Sequence, residues 1–169
     1  MNIEIERKFL IKRPDASVLA SIDGCAVREI VQTYLHTDGA ERRIRRIVEN
    51  GATSYIYTEK RRVPGAEISR FEDEREITAE EYAALYAEAA NELRKTRYAF
   101  PYGGRVVEID VYPDEIGGEL FRGRAILEIE MESEDEELHI PEFIEVIEEV
   151  TGRKEYSNKS LAEKNKIGE

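Results

Sequence analysis

The stretch Ile3-Glu4-Ile5-Glu6-Arg7-Lys8-Phe9-Leu10-Ile11-Lys12 alternates strictly. Successive side chains of an extended strand point to opposite faces. Ile3, Ile5, Phe9 and Ile11 therefore share one face, and Glu4, Glu6 and Lys8 share the other. The pattern predicts a strand over 3–12 with one apolar and one charged side. The same reading extends down the chain. Segments 41–49 and 53–62 flank Asn50-Gly51, a pair that suits a two-residue hairpin because both central positions need positive φ. Residues 67–77 alternate again after Pro64-Gly65. Segments 93–100 and 105–112 are two strands joined across Gly103-Gly104, and 124–132 is a further strand. Residues 27–35 are a strand or an extended approach to one.

Helical signals are fewer. Residues 14–23, opened by Pro14, form a short helix or turn. Thr78 with Glu81 three residues on makes a capping box, and Tyr82, Leu85, Tyr86, Ala89 and Leu93 recur at helical spacing. Pro141 opens a predicted helix over 142–150, ended near Gly152, and 158–165 is a terminal helix. With no repeat, linker or composition break, residues 1–169 read as one domain. It holds seven or eight antiparallel strands and a few helices, an α+β barrel-like architecture.

The composition sets the problem that the strands must solve. The chain has 169 residues, 25 Lys plus Arg against 37 Asp plus Glu, and a net charge of −12. The hydrophobic share of 41% suffices for a packed core. The negative balance argues against an extended nucleic acid and an anionic membrane as partners. Cys25 stands alone, which excludes an intrachain disulfide and a cysteine-rich zinc site. No apolar run approaches the roughly 20 residues of a spanning helix. The segment Met1-Asn2-Ile3-Glu4 lacks the pattern of a signal peptide, so the expected location is the cytoplasm.

Charge is sorted by strand face. Continuing the period of two groups Glu4, Glu6 and Lys8, then Arg43 and Arg45, then Thr58 and Lys60. It continues with Arg70, Glu72, Glu74 and Glu76, with Lys95 and Arg97, with Glu108 and Asp110, and with Glu128 and Glu130. Opposite faces are often apolar, as in Val107, Ile109 and Val111 or Leu127, Ile129 and Met131. Two readings stand. One is a sheet with a solvated charged face. The other closes the sheet with its charged faces inward and covers the apolar outside with helices. Buried charges need partners or ions, so the second reading demands a ligand. Arg forks and Lys ammonium groups suit phosphate oxygens. Carboxylates suit Mg²⁺ or Mn²⁺. A polyphosphate with a divalent metal would neutralise both sets, which is equipment for phosphoryl transfer.

These residues resemble a known family. Glu4-Ile5-Glu6-Arg7-Lys8 has the Glu-x-Glu-x-Lys pattern of the CYTH superfamily, the triphosphate tunnel metalloenzymes. Gln32-Thr33-Tyr34-Leu35, Arg43-Ile44-Arg45, Lys60 and Arg70-Phe71-Glu72-Asp73-Glu74 follow in the family's order. So do Lys95-Thr96-Arg97-Tyr98, Glu108-Ile109-Asp110, Glu128-Ile129-Glu130, and Tyr156-Ser157-Asn158 with Leu161-Ala162. The resemblance spans residues 3–162. It implies an eight-stranded antiparallel closed barrel, a triphosphate tunnel, with helices packed outside.

The resemblance also implies roles. Glu4, Glu6, Glu128 and Glu130 are the expected metal ligands and catalytic carboxylates, with Mg²⁺ or Mn²⁺ as cofactor. Lys8, Arg43, Arg45, Lys60, Arg70, Lys95 and Arg97 are the expected triphosphate contacts, joined by Lys154, the basic residue before Tyr-Ser-Asn. Glu72, Glu74 and Asp110 are expected to line the tunnel. Two departures stand out: Glu59-Lys60-Arg61-Arg62 is more charged than usual, and Val63–Ser69 lacks the family's Gly-Gly-Leu-like turn. They leave open which of Glu72, Glu74 and Glu76 faces inward at functional depth. Family members are often homodimers, so the resemblance allows one here.

The start Glu-Ile-Glu-Arg-Lys-Phe-Leu resembles the small microbial tripolyphosphatases. The expected activity is metal-dependent hydrolysis of inorganic tripolyphosphate to pyrophosphate and phosphate. The alternatives are a class IV-type adenylate cyclase, a thiamine or nucleoside triphosphatase, and a polyphosphate-binding module without turnover. His36 and His139 have no neighbours at ligand spacing and read as surface residues. Cys25 reads as a buried or partly buried thiol, and Glu132–Glu137 as a solvated loop. Tyr82, Leu85 and Tyr86 read as packing contacts.

Overall fold

The leading strand β1 runs over Asn2–Lys12 and organises the barrel, because both its edges are paired. The computed structural model describes residues 2–167. After β1 come helix α1 (Ala16–Ala20) and strands β2 (Ala26–Leu35), β3 (Glu41–Glu49), β4 (Ala52–Arg62) and β5 (Ser69–Ile77). Helix α2 (Ala79–Tyr86), strands β6 (Ala89–Tyr102) and β7 (Arg105–Val111), the single turn α3 (Asp114–Gly117) and strand β8 (Arg124–Glu130) follow. Strand β9 (Val146–Glu149) and helix α4 (Asn158–Glu163) complete the chain, with 3₁₀ turns at Glu119–Phe121 and Lys154–Tyr156.

The strands pair in the order β5-β4-β3-β2-β6-β7-β8-β1, and β1 returns to β5, so the eight close into an antiparallel barrel. On one edge of β1, Glu6 to Lys12 pair with β8; on the other, Asn2 to Ile5 pair with β5. Beyond β5 that second edge is taken by β9, which pairs with Phe9 to Ile11. The hairpin signals hold in detail: Asn50 and Gly51 have φ of 51° and 77°, and Gly103 and Gly104 have 59° and 77°.

The apolar strand faces point outward and are covered. Leu19 of α1 packs with Phe9, Ile11, Phe100, Val107, Leu127 and Ile129. Tyr82 and Leu85 of α2 pack on Leu35, Ile44 and Ile77. The expected capping box is present: Thr78 Oγ1 accepts from the Glu81 amide at 3.1 Å, and the Glu81 carboxylate accepts from the Thr78 amide at 3.4 Å.

One expected helix is absent. After Pro141 the chain makes a turn and becomes β9, because the free edge of β1 offers a backbone ladder there. The Lys12 amide donates to the Glu145 carbonyl at 3.0 Å and the Val150 amide to the Lys8 carbonyl at 2.8 Å. Tertiary pairing of the β-branched Val146-Ile147 overrides the local signal. Strand β6 also begins earlier than expected, at Ala89.

The inward faces change character along the barrel. Leu10, Tyr34, Leu93, Tyr112 and Ile126 stand on the same faces as the charged residues, yet they form an apolar plug with Phe121, Val150, Tyr156, Leu161 and Ala162. Helix α4 thus fills one end of the barrel. No helix of the described residues is long and apolar enough to cross a membrane.

Candidate active site

Above the plug, the barrel interior is a charged tunnel with two connected chambers of about 290 and 890 Å³. Glu4, Glu6, Arg43, Lys60 and Asn158 line both and form the waist between them. The smaller, inner chamber sets Arg28, Arg45, Lys95 and Arg97 against Glu72, Glu74, Glu108, Glu128 and Glu130. The larger, outer chamber adds Lys8, Arg61, Arg62, Arg70, Arg153, Lys154 and Lys159 against Glu41 and Glu163. The inner chamber is therefore mixed in charge and the outer one strongly cationic.

Within the tunnel the strand register builds two carboxylate pairs. Glu6 stands opposite Glu130 across β1–β8, and Glu108 stands opposite Glu128 across β7–β8. Like charges at directly opposed positions repel. The second pair is answered: Arg97 donates to Glu108 at 3.0 Å and lies 3.5 Å from Glu128, while Lys8 lies 3.4 Å from Glu128. Burial pushes the Glu128 carboxyl up, but Lys8, Arg97 and Lys95 outweigh it and hold Glu128 ionised. Among the described residues neither member of the first pair makes an ion pair, and the Lys60 and Lys8 charges offset the burial of Glu6 only in part. Burial, reinforced by the Glu128 charge, pushes the Glu6 carboxyl up to about 7. Burial and the Glu4 charge push Glu130 up as well. Glu4 is also raised, chiefly by burial, although Lys60 Nζ lies 2.7 Å away.

A cation fits this arrangement. Glu4, Glu6 and Glu130 are oxygen donors of the kind hard divalent ions prefer; Lys60 pairs with Glu4, whereas Glu6 and Glu130 make no ion pair among the described residues. Among the described residues, no three acidic side chains already converge at the spacing of metal ligands. In this arrangement Lys60 occupies one of the carboxylates. The buried polar atoms without a hydrogen-bond partner among the described residues also lie on tunnel residues: Gln32 Oε1, Arg43 Nε, Arg45 Nε, Glu72 Oε2 and Glu128 Oε1. Such atoms normally find a partner, and here they surround the cavity.

The basic side chains are held by acidic neighbours. Arg45 donates to Glu74 at 2.9 Å, and Thr58 donates to the same oxygen at 3.2 Å. Lys60 also lies 3.6 Å from Glu72. Burial, with Arg43 alongside, lowers Arg45 to about 10. Burial lowers Lys95 to about 8, Asp110 opposing and Arg97 assisting. Arg97 grips Asp110 with Nε at 2.8 Å and Nη2 at 2.9 Å, and Lys95 reaches Asp110 at 2.8 Å. Burial pushes the Asp110 carboxyl up, but Arg97 and Lys95 outweigh it and hold it well below the usual range.

Most residues singled out in the sequence meet around the cavity: Glu4, Glu6, Glu72, Glu74, Glu128 and Glu130, with Lys8, Arg43, Arg45, Lys60, Arg70, Lys95, Arg97 and Lys154. Glu72 and Glu74 line the inner chamber, whereas Glu76 is exposed and lines neither. Asp110 is fully buried behind the wall, where it serves as counter-ion to Lys95 and Arg97. Arg28, Gln32, Glu108, Asn158, Arg62 and Lys159 line the cavity without having been assigned a role. Period two grouped Glu108 with Asp110, and Gln32 lay within the motif Gln32-Thr33-Tyr34-Leu35; the same period, continued over 27–35, would have set Gln32 with Arg28. Asn158 lay within Tyr156-Ser157-Asn158. His36 and His139 are exposed, and Cys25 is half-buried.

Comparison with known proteins covers nearly the whole chain. The CYTH domain family matches residues 2–164. Among solved structures, the hypothetical protein NE1496 is 31% identical over 95% of this chain and 97% of its own, with a TM-score of 0.55. The inorganic triphosphatase NE1496 is 29% identical over the same shares, with a TM-score of 0.56. The PH1819 protein from Pyrococcus horikoshii OT3 is 18% identical over 79% of this chain and 80% of its own, with a TM-score of 0.58, and shares the fold. No curated protein matches the chain.

Proposed function

This chain belongs to the CYTH domain family, and from that premise we propose that it is a divalent-metal-dependent triphosphatase that cleaves inorganic tripolyphosphate to pyrophosphate and phosphate. The observation that carries the reading is the Glu6–Glu130 pair, without an ion pair among the described residues, set beside a ring of buried cations in a closed barrel. The similarity to an inorganic triphosphatase over 95% of the chain supports it. The outer chamber supports an inorganic substrate too. Among the described residues its lining carries, apart from the buried Tyr34, no aromatic side chain on which a nucleobase or thiazole ring would stack.

In this reading Glu4, Glu6 and Glu130 hold Mg²⁺ or Mn²⁺, with Glu128 beside them. The ion supplies neutralisation of phosphate charge and activation of water. Arg43, Arg45, Lys60, Lys95 and Arg97 hold phosphate oxygens of the inner span, and Lys8, Arg70 and Lys154 those of the outer span. This positioning sets an attacking water in line with the terminal phosphorus. The new P–O bond forms as the bridging P–O bond breaks. Pyrophosphate leaves, and the water's proton passes to a carboxylate of the acidic group. The lone half-buried thiol Cys25 suits a reducing cytoplasm.

The test is a panel of tripolyphosphate, ATP and thiamine triphosphate, each with Mg²⁺ or Mn²⁺, assayed for phosphate and cyclic nucleotide. Release of one phosphate and one pyrophosphate per tripolyphosphate is expected, and it is abolished in Glu6→Gln. Cyclic AMP from ATP, with no phosphate from tripolyphosphate under either metal, would overturn the reading in favour of a cyclase. Tight tripolyphosphate binding without turnover, unchanged in Glu6→Gln, would leave a binding module.

A further inference from the structure

Of the waist residues Glu4, Glu6, Arg43, Lys60 and Asn158, only Asn158 is uncharged. It is the first residue of α4 and is 9% exposed. Its Oδ1 accepts from Tyr112 Oη at 2.6 Å and lies 3.4 Å from Lys95 Nζ as a second acceptor contact. An ammonium can only donate, so the oxygen must face Lys95. The amide nitrogen is therefore turned the other way, toward the cavity. Nδ2 has no hydrogen-bond acceptor among the described residues.

The surroundings hold this orientation. Tyr112 is buried, its ring centroid 5.0 Å from that of Phe121. Leu161 and Ala162 anchor α4 in the same plug. Ser157 caps the helix by accepting from the Ser160 amide at 3.1 Å. A cation at position 158 would be drawn onto Glu4 or Glu6; an amide offers a donor without adding to either charge set. Resting on the triphosphatase reading, we propose that Asn158 is a substrate-binding residue whose Nδ2 donates to a phosphate oxygen at the waist, and that Tyr112 is the residue that positions it.

The experiment is calorimetric binding of tripolyphosphate without divalent metal, so that no turnover intervenes. It is run on wild type, Asn158→Ala, Tyr112→Phe and the double variant, each with a thermal melt. Loss of a donor to a charged acceptor predicts about tenfold weaker binding for Asn158→Ala. Tyr112→Phe frees the amide to rotate and weakens binding severalfold. Because Tyr112 acts through Asn158, the double variant binds no more weakly than Asn158→Ala. Asn158→Asp keeps the acceptor for Tyr112 and Lys95 and serves if the alanine variant does not fold. Its loss persists in high salt if a donor has gone, and disappears if repulsion alone acts. Binding by a folded Asn158→Ala within twofold of wild type, or an Asn158→Asp loss that salt abolishes, overturns the role of Asn158. Additive losses in the double variant overturn the positioning by Tyr112. If wild type binds tripolyphosphate neither without metal nor with Mg²⁺, the triphosphatase reading falls and this inference with it; if wild type binds and Asn158→Ala matches it, the inference alone falls.

Discussion

Lys60 Nζ lies 2.7 Å from Glu4 Oε1 and so neutralises a carboxylate that the proposed metal also needs. Burial and Arg43 push the Lys60 ammonium pKa down, but Glu6 and Glu4 outweigh them and keep it charged. Lys60 and a divalent ion therefore compete for Glu4, whereas Lys60 and the ion cooperate toward a triphosphate. Lys60→Gln has opposite effects on the two ligands. It tightens Mn²⁺ binding severalfold in the absence of triphosphate, because Glu4 is released. It weakens metal-free tripolyphosphate binding by about tenfold, because a charged donor is lost. Calorimetry with each ligand alone checks both signs. Weakening of both ligands would make Lys60 a scaffold residue.

Asp110 carries the heaviest structural load in the tunnel wall. It is fully buried, and both its oxygens are taken by Arg97 and Lys95. Asp110→Asn leaves buried Lys95 without its ion pair and Arg97 with only Glu108 and Glu128, and costs about 3–5 kcal/mol in urea unfolding. The pH dependence follows from the lowered folded-state pKa. A depressed carboxyl stabilises the fold above its unfolded value of about 3.9, and that stability is lost as pH falls toward the folded value. Wild type therefore loses stability in acid below about pH 4 more steeply than Asp110→Asn does, which urea titrations between about pH 3 and 6 will show.

The strands and their charged faces were legible because period two is a local property; that the sheet closes with those faces inward came from the family resemblance. Glu4, Glu6 and Lys8 declare one face within five residues, and Asn50-Gly51 declares its hairpin in two. The plug was not legible. Leu10, Tyr34, Leu93, Tyr112 and Ile126 continue the charged faces, so each reads in sequence as a break in the pattern. Only closure of the barrel brings the five together, and only then does α4 find its seat. The β9 segment failed for the same kind of reason: its structure depends on an unpaired edge of β1 far away in sequence. Asp110 shared a face with Glu108, and alternation cannot tell a side chain that lines a cavity from one buried behind its neighbours.

Lys95 supplies a titration within reach of ordinary buffers. Burial lowers it to about 8, with Asp110 opposing and Arg97 assisting. A bound polyanion favours the ammonium form and raises that value. By linkage, metal-free tripolyphosphate affinity falls as pH rises through about 8. Carbon-13 spectra of labelled lysine side chains should show one resonance titrating near about 8, moved upward by tripolyphosphate and absent in Lys95→Arg. The sign on stability is opposite to that of a group with a raised pKa. The folded state releases the Lys95 proton first, so this group adds stability as pH climbs from about 8 toward 10.5. A Lys95 that stays fully charged to pH 10 would contradict the assignment.

Gly117 tests the link between the plug and the tunnel. Its φ is not positive, so the constraint is one of space rather than backbone conformation. A Cβ there would stand 2.9 Å from Phe121 Cβ and 3.3 Å from Tyr112 Cβ. Neither contact is with the tip of a flexible side chain, so relief requires the backbone of α3 or of the following turn to move. Overpacking of this kind costs about 1–3 kcal/mol, which urea unfolding of Gly117→Ala will measure. Part of the displacement reaches Tyr112, whose hydroxyl donates to Asn158 at 2.6 Å. Gly117→Ala therefore weakens tripolyphosphate binding as well as the fold, although residue 117 lines neither chamber. Val106→Ala, at a site 55% exposed on β7, serves as the control and changes neither quantity. A Gly117→Ala protein that is destabilised yet binds tripolyphosphate as wild type does would show that the plug supports the barrel without setting the geometry of its waist.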